Sequence, residues 1–454
     1  MNTAHIAIDV ASHLPSQRRA LVLAALAVTV GLAIGFFRHT LDGEWNQVYA
    51  RAAQRMEAGE SIHYEEPNAY AYPPLMALLT IPLTKLGLHG GLAAWYLINL
   101  AAVTVLAQGA WSLAGGPPIG RWDRRWKLAC GLAALLAARF CAAPFENQQF
   151  DVVIAALAML GCTALAEDRP MAAACWLGAS AAMKCTPLLF APYLLWRGRL
   201  RTAAVMVLAA VGLNRLPELL YPQRSGGSYL AEWIHTFLGT VGREAPGTWF
   251  SDLLLNQSLA GLWSRYVQIG WPLSTSQLPS GPLVPSAETT ALLRWLVYGS
   301  LTLLAAAAAW RMWPPGWPTC LPASADSPSS SAAARAGRSL ARQRLAWEMA
   351  ICLCLMLLAS PMSSKAHFVV LVLPCLLVAR NVMESVGWQR WIIVAVLICL
   401  GPLSSGEITG DALGDLLLAW GGPTWFVLLL LGVLWWKIPP WPRDGSSPHP
   451  VAAA

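Results

Sequence analysis

The sequence predicts an all-α integral membrane protein: a bundle of roughly 10–12 transmembrane helices with a long first extracytoplasmic loop. Three observations lead there. The chain is 56% hydrophobic and only 12% charged, more apolar surface than a water-soluble globule of 454 residues can hide. Apolar runs recur along its whole length and leave no stretch for a separate soluble domain. Its 23 Trp, against 10 Tyr and 10 Phe, suit helix ends at headgroup level, where an indole spans the apolar–polar boundary.

The runs that can meet the bilayer are Ala20 to Phe37, Gly91 to Ala114, Leu128 to Ala143, Asp151 to Ala166, Met171 to Trp196 and Thr202 to Leu219. Thr290 to Trp310, Ala346 to Ala359, His367 to Val378, Trp391 to Leu403 and Thr424 to Trp436 follow. Several fall short of the ~20 residues a perpendicular span needs, so tilted, broken or half-length helices are expected. No small-residue cleavage site follows the first run, which reads as a retained helix. The organisation is then a cytoplasmic tail over residues 1–19, one membrane domain over 20–437 and a cytoplasmic tail over 438–454. Within the domain, residues 313–345, rich in Ser, Ala, Pro and Arg, read as a flexible cytoplasmic loop.

Charge sets the orientation. Arg121, Arg124, Arg125 and Lys127 crowd one short loop, and Arg197, Arg199 and Arg201 another, which makes both cytoplasmic together with the two termini. The stretch from Arg38 to Tyr72 sets six acids against three arginines and belongs outside. Satisfying all of this makes the run from Met171 to Trp196 go out and come back, bending at Lys184-Cys185-Thr186-Pro187, for roughly 12 passes. Asp42, Glu44, Asn147, Gln148, Lys184, Asn256, Gln257, Lys365 and His367 then share the outer face, as the lining of one cavity would.

The net charge of +7 gathers in these short loops, so topology explains it and nucleic acid is not a partner; membrane lipids are. Most of the ten cysteines lie in or at the edge of apolar runs, which gives neither a disulfide framework nor a zinc site. No carboxylate pair has metal-site spacing, so a divalent cation is neither required nor excluded, and no cofactor is implied. Nothing resembles a glycine loop that cradles a nucleotide. A carboxylate just beyond the first helix, Asp42 or Glu44, can accept a proton from a sugar hydroxyl; either can equally cap the short helix that follows.

Five blocks, in order, extend the reading. The first combines that acid with Tyr49-x-x-Ala52-Ala53, Gly59, Tyr72-Pro73-Pro74, Trp95 and Asn99. The others are Asn147-Gln148-Gln149 opening a helix; Gly178, Lys184 and Pro187 before an arginine loop; Asn256-Gln257-Ser258 with Arg265; and Ser360-Pro361-Met362-Ser363 leading to Lys365 and His367. Together they resemble glycosyltransferase family 87, which includes bacterial polyprenyl-phosphate-mannose-dependent α-mannosyltransferases. The resemblance covers Glu44 to Pro374 and implies a GT-C-type bundle with an extracytoplasmic active site. Four positions depart from the family pattern. Trp45 stands where the family acid usually sits, Gln148 replaces a glycine, and Ser364 and Ala366 replace a Trp and a His.

The resemblance implies transfer of a hexosyl group, mannosyl at the level of the family, from a polyprenyl-phosphate sugar to a lipid or glycan acceptor. Glu44 or Asp42 would be the base of an inverting reaction. Lys184, Arg265 and His367 would hold the lipid phosphate, or respectively snorkel, sit as a loop cation and cap a helix. Tyr49, Tyr72, Asn147, Gln148, Asn256, Gln257 and Lys365 complete the expected substrate-binding set; the four amides can equally satisfy backbone at re-entrant turns. A polytopic transporter is the main competing class, and would show inverted repeats and a midplane site. A noncatalytic envelope-assembly protein is the other.

Overall fold

The structure is a computed structural model that describes residues 23–38, 40, 42–63, 70–118, 121–248, 254–279, 283–313 and 332–440. The expected N-terminal tail, part of the 313–345 loop and the C-terminal tail beyond residue 440 lie outside them. Among the described residues the secondary structure is helical throughout. The helices of the first half are α1 (Leu23–Phe37), α2 (Arg51–Glu57), α3 (Pro74–Thr84), α4 (Gly87–Leu113), α5 (Arg124–Glu146), α6 (Asp151–Ala166), α7 (Pro170–Met183), α8 (Thr186–Trp196) and α9 (Leu200–Leu220). Those of the second half are α10 (Tyr229–Trp233), α11 (Leu259–Gln268), α12 (Ala287–Arg311), α13 (Ala332–Ala359), α14 (Lys365–Glu384), α15 (Gln389–Leu400), α16 (Asp411–Ala419) and α17 (Gly422–Lys437).

Local chemistry sets many of these ends. Asp123, Ser258 and Ser286 each accept a backbone N–H of the first turn of α5, α11 and α12, satisfying a donor that the helix itself cannot. Pro74, Pro170 and Pro423 stand in the first turn of their helices, where a missing N–H costs nothing.

Contacts between helices fix their directions. Gln148, after α5, donates to Phe36 O at the end of α1, and Trp95 near the start of α4 donates to Gln148 O. Gly109, late in α4, lies against Met159 and Thr163, late in α6, so α4 and α6 pack directly and run parallel, and α5 is the return pass that connects them in sequence. Ser180 Oγ donates to Ile154 O and Gly161 meets Leu177, so α7 runs back along α6. Gly178 packs on Met206 and Ala209 while Asn214 donates to Ala182 O, which makes α7 and α9 parallel. The chain therefore reverses after Met183 and α8 carries it back. A side chain at Gly178 would clash there, and its absence lets α7 and α9 approach closely.

The second half closes in the same way. The end of α12, Arg344 in α13 and the end of α17 meet at one face through Arg344 to Arg311 O and Arg311 to Trp435 O. The end of α13 and the start of α17 meet at the opposite face through Gln257 N to Ser363 O and Thr424 Oγ1 to Gln257 O. Twelve segments among the described residues thus alternate between two faces, and α1 begins at the face where α17 ends. Large apolar side chains such as Leu208, Leu219 and Leu303 are more than two-thirds exposed, which suits a lipid-facing perimeter.

The expectation of broken or half-length helices is met, and one other expectation needs correction. Only five helices among the described residues are long and apolar enough to cross a membrane alone, or six if α16 and α17, bent by 55°, form one span. Six shorter apolar helices have 10–17 residues, and α3, with 11, is about 16 Å long, half of the hydrocarbon thickness. Residues 332–345, expected within a flexible loop, belong to α13. Two of their arginines have side-chain partners: Arg344 pairs with Glu348 one turn on, and Arg342 donates to Ser112 Oγ.

Candidate active site

The site begins where the chain leaves α1. Trp45–Ala50 forms a π-helical turn, whose i to i+5 geometry brings Tyr49 over Glu44. The Tyr49 hydroxyl donates to Glu44 Oε2 at 2.9 Å, and Gln149 Nε2 donates to Glu44 Oε1 at 2.5 Å. Burial pushes the Glu44 carboxyl up to about 7, against the pull of these two hydrogen bonds. Asp151 raises it further and Lys184 lowers it. Asp42, two residues earlier, is exposed.

The connection between α5 and α6 supplies the next residues. Gln148 adopts φ +58°, the left-handed conformation that glycine favours, at the position where the family pattern has glycine. Hydrogen bonds from Trp95 to its carbonyl and from its amide to Phe36 O hold it there. The turn directs Gln149 and Asp151 to the site, while Phe150 packs edge-on against Tyr49 and Tyr72, with ring centroids at 5.1 and 4.6 Å.

Lys184 sits at the reversal after α7, where the backbone turns extended before the 3-10 turn of Thr186–Leu189. Its ammonium donates to Asp151 Oδ1 at 2.8 Å and lies 5.7 Å from the Tyr72 ring centroid. His367 enters from the start of α14. The Ser364 N–H donates to its Nδ1 at 2.9 Å, so the neutral ring carries its proton on Nε2, which stands 3.7 Å from Asp151 Oδ1.

These groups line a cleft of about 1000 Å³ that is open to solvent. Glu44, Tyr72, Gln149, Lys184 and His367 form its polar wall; Trp233, Phe237, Leu238, Val241 and Leu255 form an apolar one. A recess of about 280 Å³ beside it is lined by Asp151, Lys184, Thr186, Ser360, Ser363 and His367. Oδ2 of Asp151 and Oε1 of Gln149 are buried with no hydrogen-bond partner among the described residues. No group of three His, Cys, Asp or Glu side chains among those residues is placed to hold a metal ion.

Other expected residues stand away from the cleft. Asn147 is exposed at the end of α5, and Gln148 is fully buried against α1. Asn256, Gln257 and Arg265 form a buried knot. Asn256 bonds Pro361 O and the Ser363 N–H, Gln257 donates to Leu254 O and Leu418 O, and Arg265 donates to Asn256 O and Ala419 O. They brace backbone where helices end, the other role open to such amides. Lys365 has Arg139, Glu146, Glu407 and Asp415 as its charged neighbours, on a different side of the α14 turn from His367. The sequence reading passed over Gln149 and Asp151 as site residues, although Gln149 stands in a block it singled out and Asp151 two residues beyond it. It also missed the apolar wall from α10 and the residues after it.

The description of glycosyltransferase family 87 matches residues 70–325, more than half of the chain. The matched span holds Gln149, Asp151 and Lys184 and leaves out Glu44 and His367. No curated protein matches the chain. A solved structure similar to it is ArnT from Cupriavidus metallidurans bound to undecaprenyl phosphate. That structure is 15% identical, with 92% of this chain and 77% of that chain covered at a TM-score of 0.36. On the family match, this integral membrane protein belongs to glycosyltransferase family 87 and is a glycosyltransferase.

Proposed function

We propose that the protein moves a hexosyl, and specifically a mannosyl, group from a polyprenyl-phosphate sugar to a lipid or glycan acceptor, within one membrane domain spanning residues 20–437. The family membership supports the reaction class. The observation that carries the site is Glu44: a carboxylate held by two donors in a cleft whose polar wall also carries Lys184 and His367.

In the reaction, Glu44 takes the proton of the acceptor hydroxyl as its oxygen bonds to the anomeric carbon. The bond from that carbon to the phosphate oxygen breaks, and its electron pair goes to the phosphate. The Lys184 ammonium and the His367 Nε2–H are the donors placed to stabilise that growing charge, while Asp151 holds the Lys184 side chain in position. Attack opposite the departing phosphate inverts the anomeric centre. The apolar wall of Trp233, Phe237 and Leu238 suits a prenyl chain.

Charge supports an extracytoplasmic cleft. The opposite face carries Arg124, Arg125 and Lys127 at the start of α5, Arg199 and Arg201 around the start of α9, and Lys437 at the end of α17. Cytoplasmic loops collect such residues, so that face, with both described ends of the chain, is the inner one.

The test is transfer from radiolabelled polyprenyl-phosphate-mannose to endogenous acceptors in membranes carrying wild type, Glu44→Gln or Asp42→Asn. Glu44→Gln is expected to lose about 10³-fold in rate, and Asp42→Asn to stay within about threefold. Normal transfer by Glu44→Gln would remove the base assignment. Absence of transfer by wild type would remove the mannosyl donor.

A further inference from the structure

Gln149 lines the cleft, yet neither proton abstraction nor phosphate binding calls for an amide there. It is 7% exposed, and its carbonyl oxygen has no hydrogen-bond partner among the described residues. Burying an amide half-satisfied is unfavourable, and packing alone would favour an apolar side chain. What the amide gains is the bond from Nε2 to Glu44 Oε1. An ionised carboxylate only accepts hydrogen bonds, so the amide nitrogen must face Glu44 and its oxygen must point away.

The backbone is arranged to deliver that group. Gln148 takes the left-handed turn, the Gln149 N–H bonds Pro144 O at 2.7 Å, and Phe150 wedges against Tyr49 and Tyr72. The other Glu44 oxygen takes the Tyr49 hydroxyl. One donor per oxygen thus comes from two parts of the chain about a hundred residues apart.

We propose that Gln149 is the positioning residue of the base, its amide N–H holding Glu44 ionised and aiming the remaining lone pairs at the acceptor hydroxyl, with Tyr49 as its counterpart on the second oxygen. This rests on Glu44 being the base. Hydrogen bonds to the charged form favour it, whereas burial disfavours it. The other groups that bear on Glu44 are Tyr72 from the segment before α3, Asp151 from α6 and Lys184 from the reversal after α7, with His367 from α14 behind Asp151. Loss of the Gln149 donor shifts this balance toward the protonated acid, so the base becomes available only at higher pH.

The experiment is the pH profile of kcat/KM for transfer from polyprenyl-phosphate-mannose by the full-length protein in membranes. In Gln149→Leu the acid limb is expected to move up by about one pH unit, with about tenfold loss at pH 6 and under about threefold at pH 9. Tyr49→Phe should move the limb in the same direction. If Gln149→Leu does not accumulate, Gln149→Met carries the same expectation. A uniform loss at every pH, with the limb unmoved, would overturn the proposal and leave Gln149 a packing residue. Glu44→Gln separates the two readings. If it is inactive while the Gln149 limb stays fixed, only the positioning role falls; if it is active, the base reading itself falls.

Discussion

At the far face of the bundle, Glu348 is fully buried, yet every side of its carboxylate is occupied. Arg197 binds it through two nitrogens, Arg344 Nε donates at 3.0 Å and Tyr193 OH at 3.1 Å. Arg344 goes on to bond Pro439 O and Arg311 O, tying α13 to α12 and to the segment after α17. At the cleft face, Asp151 is just as deeply placed, but one of its oxygens takes Lys184 and the other takes no partner among the described residues. Saturation is what a structural knot needs, because a buried charge with an unmet bond weakens the fold. An incomplete set is what a binding site needs, since the ligand supplies the missing partners.

The largest effect should come from breaking the saturated cluster. Glu348→Ala leaves Arg197 and Arg344 buried around an empty place, and removing one partner of such a cluster costs about 3–5 kcal/mol. The expected outcome is a sharp fall in the melting temperature of the purified protein, with unchanged KM in whatever fraction stays folded. A raised KM without a lower melting temperature would break the comparison, because it would put the far cluster in the reaction.

The incomplete cluster should respond the other way. Lys184→Met is expected to lower kcat about 10²-fold, the scale of one donor lost from a developing charge. Its melting temperature should fall less than that of Glu348→Ala, because the cleft admits water and Asp151 can take up a proton. Single-turnover transfer and thermal unfolding on the same preparation measure both. Equal destabilisation by the two substitutions would erase the distinction drawn here.

Much of this candidate site was legible in the sequence. Glu44, Lys184 and His367, singled out by the family-like blocks and expected on one face, line the same cleft. Gln149 and Asp151 were not expected there, because what marks them is a partner far along the chain: Gln149 meets Glu44 across 105 positions and Asp151 meets Lys184 across 33. Asn256, Gln257 and Arg265 were read toward substrate because polar residues at a helix break look alike in sequence whether they face a ligand or a bare carbonyl. The length of the individual passes was less legible for a related reason. Hydropathy marks an apolar run, but a run of 11 to 16 residues can pack as a half-length helix within the bundle.

The smallest effect tests the comparison most directly, because it asks whether Glu44 is placed for stability at all. Burial raises its folded-state pKa to about 7 from an ordinary carboxyl value of 4.5. The folded protein therefore holds this proton more tightly than the unfolded chain does. Between those two values the unfolded chain releases it first, so stability falls as pH rises, and above about 7 the whole penalty is present. Glu44→Gln removes the ionisable group. It should stabilise the protein by about 1 kcal/mol at pH 8 and by nothing measurable at pH 4, read as the difference in melting temperature between the two proteins at each pH. The same substitution would then abolish transfer and strengthen the fold, as expected of a carboxylate retained for chemistry. A loss of stability at pH 8 would instead place Glu44 with Glu348 among the groups that hold the bundle together.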